Sequence, residues 1–411
     1  MKKQKVLFVS ARPPFPLDTG AKIRTWHLLA GFTQRFDVDV LTFSEPSMAP
    51  AWQGALEDLG VSRVVHVDNP ALNRPLSAGM FLYASLLGLP ASVVKYRVPE
   101  FSARFRELVA QKPSLVHIEH IHLAGELGSL PRRGSGPCVS IDAHNVECQI
   151  AERLRDAETS KPRKAALALH AWNMRRFEAR AYSRSDLAMA VSEEDKTAIG
   201  DMTAGRANVA VVENGVDETY FSPGFEEEIK PGAMVFVGSM DWLPNADAMV
   251  WFVSEVFPLI RRERPDCSLT IVGRAPRPEV LALHDPAQGV EVTGTVDDVR
   301  PYVRRAEVVV TPLRFGGGTR LKILEAFAMG KAVVSTSLGC EGIACEPGRH
   351  LLLGDDSASL AASCLHVMGD AAARLALGQG GRDLALRNYT WPAVVARMDS
   401  ALNGILEAAR G

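Results

Sequence analysis

The 411-residue sequence lacks the features that mark several common protein classes. Its six cysteines are scattered and form no Cys-x-x-Cys pair, which is typical of reduced, structural cysteines in a cytosolic protein. Lys and Arg number 46 against 48 Asp and Glu, so no basic excess indicates a nucleic-acid partner. No Gly-x-Gly-x-x-Gly follows the first predicted strand of either half, which disfavours a dinucleotide-dependent oxidoreductase.

Long apolar runs are also scarce. The apolar part of the first ten residues is only strand-sized and leads into Arg12-Pro13-Pro14, so it predicts a first strand rather than a signal peptide. Residues 75–94 carry no charge, but Pro90 should end any helix within them. We favour a buried helix plus loop here; an interfacial or acceptor-binding surface and a membrane span are the alternatives. The protein is therefore expected in the cytoplasm, with peripheral contact to the inner face of the cell membrane left open.

The length of the chain exceeds one ordinary core and predicts two domains. In both halves, strand-like runs alternate with helical patterns, which indicates α/β domains with mostly parallel, doubly wound sheets. A polar linker near residue 220 separates an N-terminal domain over 1–219 from a C-terminal domain over 220–392. Ligands of such folds bind at the carboxyl ends of the strands, so we expect a central cleft between the domains.

The predicted elements follow from hydrophobic periodicity and turn residues. Strands are expected at 6–10, 38–43, 61–67, 115–118, 138–142, 186–191, 209–212, 234–237, 269–272, 290–293, 308–311 and 332–335. Helices are expected at 21–32, 101–111, 146–156, 164–182, 245–264, 299–306, 319–330 and 375–409, the last with one break at Trp391-Pro392.

The stretch 308–336 predicts a strand, a glycine loop, a helix and a second strand. The loop is Gly316-Gly317-Gly318, and Thr319 should cap a helix that stops at Gly330. A helix N-terminus offers free N–H groups to an anion, most naturally phosphate; a tight structural turn is the alternative, since the loop lacks the Gly-Lys-Ser/Thr of a P-loop.

Charged side chains follow this loop. Thr319, Lys322 and Glu325 fall within about 120° on one helix face, while Arg320 projects to the opposite side but could still swing towards the loop. An ion pair between Lys322 and Glu325 is the structural interpretation of the same spacing.

Reactive side chains end several strands of the first half. His117, Glu119 and His120 end the fourth strand, in a spacing that fits no standard zinc ligand set, so no metal is expected. A catalytic or substrate-binding role is favoured, and satisfied structural histidines are the alternative. The fifth strand ends similarly, and the first is followed by a possible ligand turn; these residues are Asp142, His144 and Asn145, and Asp18, Thr19 and Gly20. Capping of the following helices by Asn145 and by the Asp18–Gly20 turn is the structural alternative.

A family resemblance rests on motifs of the second half. Asn214-Gly215-Val216-Asp217, the run Thr293-Gly294-Thr295-Val296-Asp297-Asp298, the loop and helix PLRFGGGTRLKILEAFAMGKAVVST, and Gly339-Cys340-Glu341-Gly342 resemble bacterial members of glycosyltransferase family 4. The resemblance covers nearly the whole chain. It implies the GT-B fold, in which two Rossmann-like domains bind acceptor and donor respectively and a C-terminal helix, here 393–411, packs back on the first. It also implies sugar transfer from a nucleotide sugar with retention of configuration, usually without a metal; no cofactor is expected beyond the nucleotide-diphosphate sugar as substrate.

The resemblance assigns donor contacts residue by residue. Glu325 matches the second glutamate of the family's E-x7-E motif, which implies binding of the donor ribose, whereas the first glutamate is replaced by Gly317. Many members hold the diphosphate with basic residues near Gly238 and Ser239, and this sequence has none between Gly238 and Arg261. We therefore expect Arg320, Lys322 and the helix N-terminus at Thr319 to hold it.

The remaining assignments are by analogy with the family. His120, or alternatively His117, matches the histidine after the fourth strand, and Arg274 and Val296 would lie near the nucleobase. The partners would be a nucleotide sugar and a sugar or lipid-linked glycan acceptor, in bacterial surface polysaccharide or glycoconjugate synthesis. A sugar-nucleotide epimerase or hydrolase on the same fold, and a non-catalytic nucleotide-sugar-binding subunit, are the rival interpretations.

Overall fold

A computed structural model describes residues 3–44, 49–69, 71–131, 133–224, 229–316 and 320–409. The chain divides into two compact units. The first unit comprises Met1–Glu213 together with Val395–Gly411, and the second comprises Asn214–Val394. All six cysteines are free thiols, in line with the expected reduced state.

The first unit is built on a parallel sheet that has seven strands within the described residues, in the order β3-β2-β1-β4-β5-β6-β7. β-branched and other apolar residues fill the central strands, which are buried on both faces, as parallel sheets require. The strands are β1 Lys5–Ser10, β2 Asp37–Phe43, β3 Arg63–Val67, β4 Leu115–Glu119, β5 Cys138–Ala143, β6 Leu187–Ala190 and β7 Val209–Val211. The register pairs Ser10 with Glu119 and Glu119 with Asp142, so the carboxyl ends of β1, β4 and β5 lie side by side.

Helices cover both faces of this sheet. They are α1 Gly20–Arg35, α2 Ala49–Asp58, α3 Ala78–Leu86, α4 Ala91–Val94, α5 Pro99–Val109, α6 Glu147–Ala157, α7 Lys161–Arg184 and α8 Glu193–Met202, with a 3₁₀ segment at Ile121–Ser129. The end of the chain packs here too, since a Cβ on Gly31 of α1 would lie 2.7 Å from Val395 Cγ1.

The second unit repeats the plan with six described strands in the order β10-β9-β8-β11-β12-β13, all parallel. They are β8 Ala233–Val237, β9 Ser268–Val272, β10 Val290–Gly294, β11 Val308–Thr311, β12 Ala332–Ser335 and β13 Leu352–Leu353. The helices are α9 Leu243–Trp251, α10 Phe257–Glu263, α11 Pro278–Leu281, α12 Arg300–Arg305, α13 Leu321–Ala328, α14 Ser357–Gly369 and α15 Ala371–Asn388, with 3₁₀ turns at Pro286–Gln288 and Leu338–Cys340. The last helix, α16 Trp391–Ala408, begins in this unit and lies mostly in the first, which includes Val395–Gly411. The predicted doubly wound α/β architecture is thus confirmed.

Three predicted helices differ from the structure. The helix expected over 245–264 is interrupted by a π-helical turn, Phe252–Val256, because Pro258 has no N–H to continue the α-helical hydrogen bonds. The helix expected from Thr319 begins at Leu321, with Arg320 at its N-cap and no side-chain cap. Thr319 itself lies outside the described residues. The tail contains α15 and α16, which separate just before Trp391 rather than at it.

The uncharged segment 75–94 does not form the buried helix that was favoured. Its main helix, α3, ends before Pro90 as predicted, but only Ala84 of its residues with described burial is fully buried, while Leu82 and Leu86 are 66% and 79% exposed. Across the described residues, no single helix has the length and apolarity needed to cross a membrane. Two consecutive helices, Ser357–Gly369 and Ala371–Asn388, meet this test of length and composition when they are taken together, but the chain bends by 103° between them.

Candidate active site

Two carboxylates, Glu119 and Asp142, accept hydrogen bonds from several side chains at the carboxyl ends of β4 and β5. Asp142 accepts a bidentate pair of hydrogen bonds from Arg24 of α1, at 2.7 Å from Nε and 2.6 Å from Nη2. Glu119 accepts from Thr25 Oγ1 at 2.7 Å and from His144 Nε2 at 2.6 Å. His144 also lies 3.2 Å from Asp142, so its ring bridges both carboxylates.

Acidic and basic side chains face one another in this buried cluster. Burial would raise the pKa of Glu119, but the charge of His144 and the hydrogen bonds from His117 and His144 hold it well below its usual range. Burial would lower the pKa of His144, but Glu119 and Asp142 raise it above its ordinary value, which favours the imidazolium form. Two carboxylates, one guanidinium and one imidazole form a hydrogen-bonded polar network of the kind that fixes geometry.

His117 is enclosed within this network. It is fully buried, and its ring lies 4.8 Å from the rings of both Phe8 and Phe32. Its Nε2 is 3.0 Å from Glu119 Oε2, and its Nδ1 is 2.8 Å from Ser140 Oγ. The structure therefore places His117 where it orients Glu119, and places Glu119 in the network below the surface.

His120 lies at the accessible edge of the cluster. Its backbone has φ +89°, a conformation that L side chains rarely adopt and that is often found at functional sites. Its ring stacks on His144 at 4.9 Å, and its Nδ1 is 2.9 Å from Nδ1 of His122. Burial, with the positive charges of His122 and His144, lowers the pKa of His120 to about 3, so the ring is neutral at physiological pH.

Two groups of side chains have metal-ligand spacing, with ligand atoms within 4.8 Å of one another: Glu119, Asp142 and His144, and His120, His122 and Glu147. In the first group, each of the four carboxylate oxygens accepts at least one hydrogen bond from a protein donor. In the second group, the Nδ1 atoms of His120 and His122 are 2.9 Å apart, a distance that fits one hydrogen bond between the two rings.

Of the other predicted acceptor residues, Asp18, Thr19 and Gly20 lie at the start of α1. Thr19 is the N-cap of α1 and accepts from Lys22 N, while Asp18 pairs with the Lys22 amine at 3.4 Å and Gly20 is the first helical residue. Asn145 does not cap α6, because the N-cap is Val146.

The carboxylate of Glu178 supplies the cap of α6 that Asn145 does not. Its two oxygens each accept a hydrogen bond of 2.9 Å, one from Glu147 N and one from Cys148 N. Burial raises the pKa of Glu178 to about 8. A long-range cap from α7 leaves no local sequence signal.

The second unit brings Gly238, Asn245 and Lys322 together at the carboxyl end of β8. The Lys322 amine donates to Asn245 Oδ1 at 2.9 Å, and Asn245 Nδ2 donates to the Ser239 carbonyl at 2.8 Å. The same amine lies 3.9 Å from the Phe236 ring centroid. A Cβ on Gly238 would lie 2.7 Å from both Lys322 Nζ and Asn245 Nδ2, so a larger residue here would displace these two side chains.

Lys322 and Glu325 lie on adjacent turns of α13, and both are half-buried. Burial and the positive charge of Arg320 lower the pKa of Lys322 to about 7. Burial raises the pKa of Glu325 to about 7, although the charge of Lys322 opposes this. The amine is hydrogen-bonded to Asn245 and not to Glu325, so the simple ion pair is not formed. Both groups are poised to change charge when a ligand enters.

Aromatic and cationic side chains surround the loop before α13. Arg320 is 4% exposed, and its guanidinium lies 5.8 Å from the ring centroid of Trp242. Gly316 has φ +118°, which only glycine adopts readily, and a Cβ there would lie 3.2 Å from Trp242 and Pro244. Gly317, Gly318 and Thr319, which the sequence assigns to the anion-binding turn, lie outside the described residues.

The predicted nucleobase neighbours occupy the β9 and β10 ends. Arg274 follows β9, and its Nε donates to Ser239 Oγ at 2.8 Å, which joins two predicted donor residues. Val296 follows β10 and is half-buried against the apolar layer on that face of the sheet.

Sequence reasoning missed Arg24, Thr25, Glu178, Asn245 and Trp242. An arginine on the buried face of α1 is a detectable signal, because a buried guanidinium requires carboxylate or carbonyl partners. The remaining four depend on contacts between distant segments.

The comparisons with known proteins agree with this architecture. The family described as "Glycosyl transferase 4-like domain" matches residues 19–215, and the family described as "Glycosyl transferases group 1" matches residues 231–370. One curated relative, the "Uncharacterized 44.6 kDa protein in cps region" of Klebsiella pneumoniae, is 28% identical over 130 residues, which are 30% of this chain. The match spans about a third, 34%, of that relative's length.

Solved structures show the same fold at low identity. Sucrose-phosphate synthase from Thermosynechococcus elongatus superposes with a TM-score of 0.72 at 16% identity, over 99% of this chain and all of that one. HepE from Anabaena, in complex with UDP and glucose, gives a TM-score of 0.63 at 14% identity, over 97% and 99% of the chains. The pneumococcal O-GlcNAc transferase GtfA, with UDP and GlcNAc, gives 0.66 at 10% identity, over 99% and 100%. With two family matches that account for most of its length and two parallel α/β units, this chain belongs to the glycosyltransferase 4-like family and has the GT-B fold.

Proposed function

We propose that this glycosyltransferase moves a sugar from a nucleotide-diphosphate sugar to a hydroxyl group of an acceptor, with retention of anomeric configuration and without a metal or cofactor. The observation that carries the proposal is the position of Lys322 and Glu325. Both are half-buried on α13 beside the carboxyl end of β8, where doubly wound folds bind their ligands.

The two side chains have complementary tasks on the donor. The Lys322 amine, with Arg320 beside it, would bind the diphosphate and stabilise the negative charge that develops as the sugar leaves. The Glu325 carboxylate would accept two hydrogen bonds from the vicinal hydroxyls of the ribose. Asn245 would keep the amine aimed at the diphosphate, because it fixes Lys322 to the loop after β8.

The first unit would supply the acceptor side. His120 is neutral and lies at the edge of the cluster, so it can exchange hydrogen bonds with a sugar hydroxyl without adding charge. The network of Glu119, Asp142 and Arg24 would hold it in place through His144. His144, Asn145 and the Asp18–Gly20 turn would line the same end of the sheet.

Retention of the anomeric configuration requires either a covalent intermediate or attack by the acceptor hydroxyl on the same face from which the leaving group departs. Glu119 and Asp142, the carboxylates at the strand ends of the first unit, are buried and occupied by hydrogen bonds. They are unsuited to act as nucleophiles, since a nucleophilic carboxylate must reach the anomeric carbon. We therefore favour front-face attack by the acceptor hydroxyl, assisted by departure of the diphosphate.

The expected biological setting is bacterial surface polysaccharide or glycoconjugate synthesis. This setting is supported by the family resemblance and by the relative in the cps region of Klebsiella pneumoniae. The acceptor would then be a sugar or a lipid-linked glycan.

A thermal-shift panel of nucleotide sugars tests the donor first. UDP-sugars are the first choice, because HepE and GtfA were solved with UDP. The best binder should then release its nucleoside diphosphate only when an acceptor is present, and NMR of the product should show the donor's anomeric configuration. Equal turnover without acceptor would indicate a hydrolase or epimerase, and inversion at the anomeric carbon would refute retention.

A further inference from the structure

An apolar surface is exposed on α3 of the first unit. Leu82, Tyr83, Leu86 and Leu87 are 66%, 56%, 79% and 42% exposed, and they fall within six consecutive residues. Isolated apolar residues are normal on protein surfaces, but a contiguous group marks an interaction site. The helix carries no charged side chain.

A second helix extends the same surface. The Phe81 ring of α3 packs edge-on against the His170 ring of α7, with centroids 5.4 Å apart. On α7, the neighbouring residues Leu169 and Trp172 are 43% and 53% exposed. Trp172 carries the guanidinium of Arg176 over its ring at 4.4 Å, an amphipathic pair typical of a boundary between apolar and aqueous phases.

The segments that form this surface are rich in basic residues, one of which, Arg175, pairs with Glu152 of α6 at 3.4 Å. Residues 69–99 contain three Lys or Arg and no Asp or Glu, and residues 161–177 contain five and none. The chain as a whole has a formal net charge of −2, so these eight cations are a local concentration. The basic residues are Arg74, Lys95, Arg97, Lys161, Arg163, Lys164, Arg175 and Arg176.

Cavities next to α3 combine the same two chemistries. Tyr83 and Arg97 line one cavity of about 300 Å³. Arg97 also lines a second cavity, of about 310 Å³, with the apolar Leu89, Val93 and Phe177 and with the exposed Arg180. An apolar cavity bordered by guanidinium groups suits a phosphate head group whose acyl chains lie on the apolar side.

We propose that the face formed by α3, the segment after it and the exposed side of α7 docks on an anionic lipid bilayer. Leu82, Tyr83 and Leu86 would enter the interface, while Arg97 and Arg180 would bind lipid phosphate groups. A bilayer is favoured over a protein partner because exposed apolar side chains flanked by an excess of Lys and Arg are the combination that anionic membranes attract. The proposal does not depend on the transferase activity.

Vesicle sedimentation with the full chain tests it directly. The protein should bind equimolar phosphatidylglycerol–phosphatidylcholine vesicles and should not bind pure phosphatidylcholine. Binding should be lost in 1 M NaCl, where the Debye length falls to about 3 Å. The double variant Leu82→Asp/Leu86→Asp should reduce binding at least about tenfold, because two leucines no longer leave water. Each of Arg97→Ala and Arg180→Ala should reduce it about fivefold.

A matched control is available in the second unit. Leu281 and Leu375 are 53% and 70% exposed outside the proposed face, so Leu281→Asp/Leu375→Asp should bind vesicles like the wild type. Because all four leucines are exposed, both double variants should retain the wild-type melting temperature, which circular dichroism checks.

Several results would overturn the proposal. These are absence of wild-type binding to phosphatidylglycerol vesicles, equal binding to phosphatidylcholine, and unchanged binding of Leu82→Asp/Leu86→Asp. Light scattering tests whether a second copy of the chain occupies this face instead of a bilayer. A wild-type dimer that ignores vesicles and becomes monomeric in Leu82→Asp/Leu86→Asp would refute lipid docking in favour of self-association.

Discussion

Raising the pH from 7 to 9 should weaken donor binding, because the side chain of Lys322 loses its proton. Its pKa lies near 7 in the ligand-free protein, so above that pH the amine is mostly neutral. A bound diphosphate favours the ammonium form and raises the pKa again. Binding in alkaline solution must then take up a proton, and the free energy of that uptake is subtracted from the affinity.

The magnitude follows from the populations of the binding-competent state. Glu325, with a pKa of about 7, must be ionised while Lys322 is protonated. With independent titration, the competent fraction is about one quarter at pH 7 and about one hundredth at pH 9, so the dissociation constant should rise about 25-fold. At pH 8, complex formation should take up about 0.8 proton, mostly at Lys322.

Isothermal titration calorimetry measures both quantities. The ligand is the nucleoside diphosphate of the best donor from the thermal-shift panel, titrated in buffers of different ionisation enthalpy at each pH. Lys322→Arg is the matched control, because a guanidinium stays charged throughout this range. Its affinity should improve at most about twofold from pH 7 to pH 9, as Glu325 completes its ionisation.

Two results would refute this reasoning. The first is a wild-type dissociation constant that changes less than about threefold between pH 7 and pH 9. The second is the same pH dependence in Lys322→Arg as in the wild type. Either would mean that Lys322 does not hold the diphosphate as an ammonium group.

Three further substitutions test neighbouring parts of the structure. Glu325→Gln should weaken donor binding about 10- to 100-fold in calorimetry, since a charged acceptor of two hydrogen bonds is lost, while the exposed Glu255→Gln should not. The raised pKa of Glu325 costs stability as pH rises from 4.5 towards 7, so Glu325→Gln should also stabilise the ligand-free protein at pH 8, by up to about 3 kcal/mol in urea denaturation. Gly238→Ala should displace the donor-side amine and weaken binding at least about tenfold, whereas Gly404→Ala, with open space at its Cβ, should not change it. Glu178→Ala should lower the free energy of unfolding by about 2–4 kcal/mol, because the N–H groups of Glu147 and Cys148, the second of them buried, lose their acceptor, and an unchanged urea midpoint would contradict that role.

Much of the fold is predictable because hydrophobic periodicity is a local property. The central strands, such as β1, β4 and β11, fall within one residue of the predicted bounds, and they are runs of buried β-branched or other apolar residues. The helices α2, α8 and α14 and the two-residue strand β13 were not predicted, because their sequences show little hydrophobic periodicity. The prediction of a buried helix in segment 75–94 was wrong, because an uncharged sequence resembles a core segment whether or not other elements pack over it.

The candidate site divides in the same way. Its glycines, Lys322 and Glu325 occur within one motif and could be found from the sequence, as could His120 at a strand end. The partners that set their chemistry come from elsewhere: Asn245 is 77 residues from Lys322, and Arg24 is 118 residues from Asp142. No spacing rule reaches across such distances, so the lowered pKa of Lys322 and the enclosure of His117 required the structure.

The most direct test of the proposed activity is a single turnover experiment. The purified chain is incubated with its best-binding nucleotide sugar, with and without acceptor, and free nucleoside diphosphate and the anomeric proton of the product are followed by NMR. We predict acceptor-dependent release of the diphosphate and a product with the donor's anomeric configuration, both strongly reduced in Lys322→Ala. Failure of every nucleotide sugar to bind, or full activity of Lys322→Ala, would contradict the account.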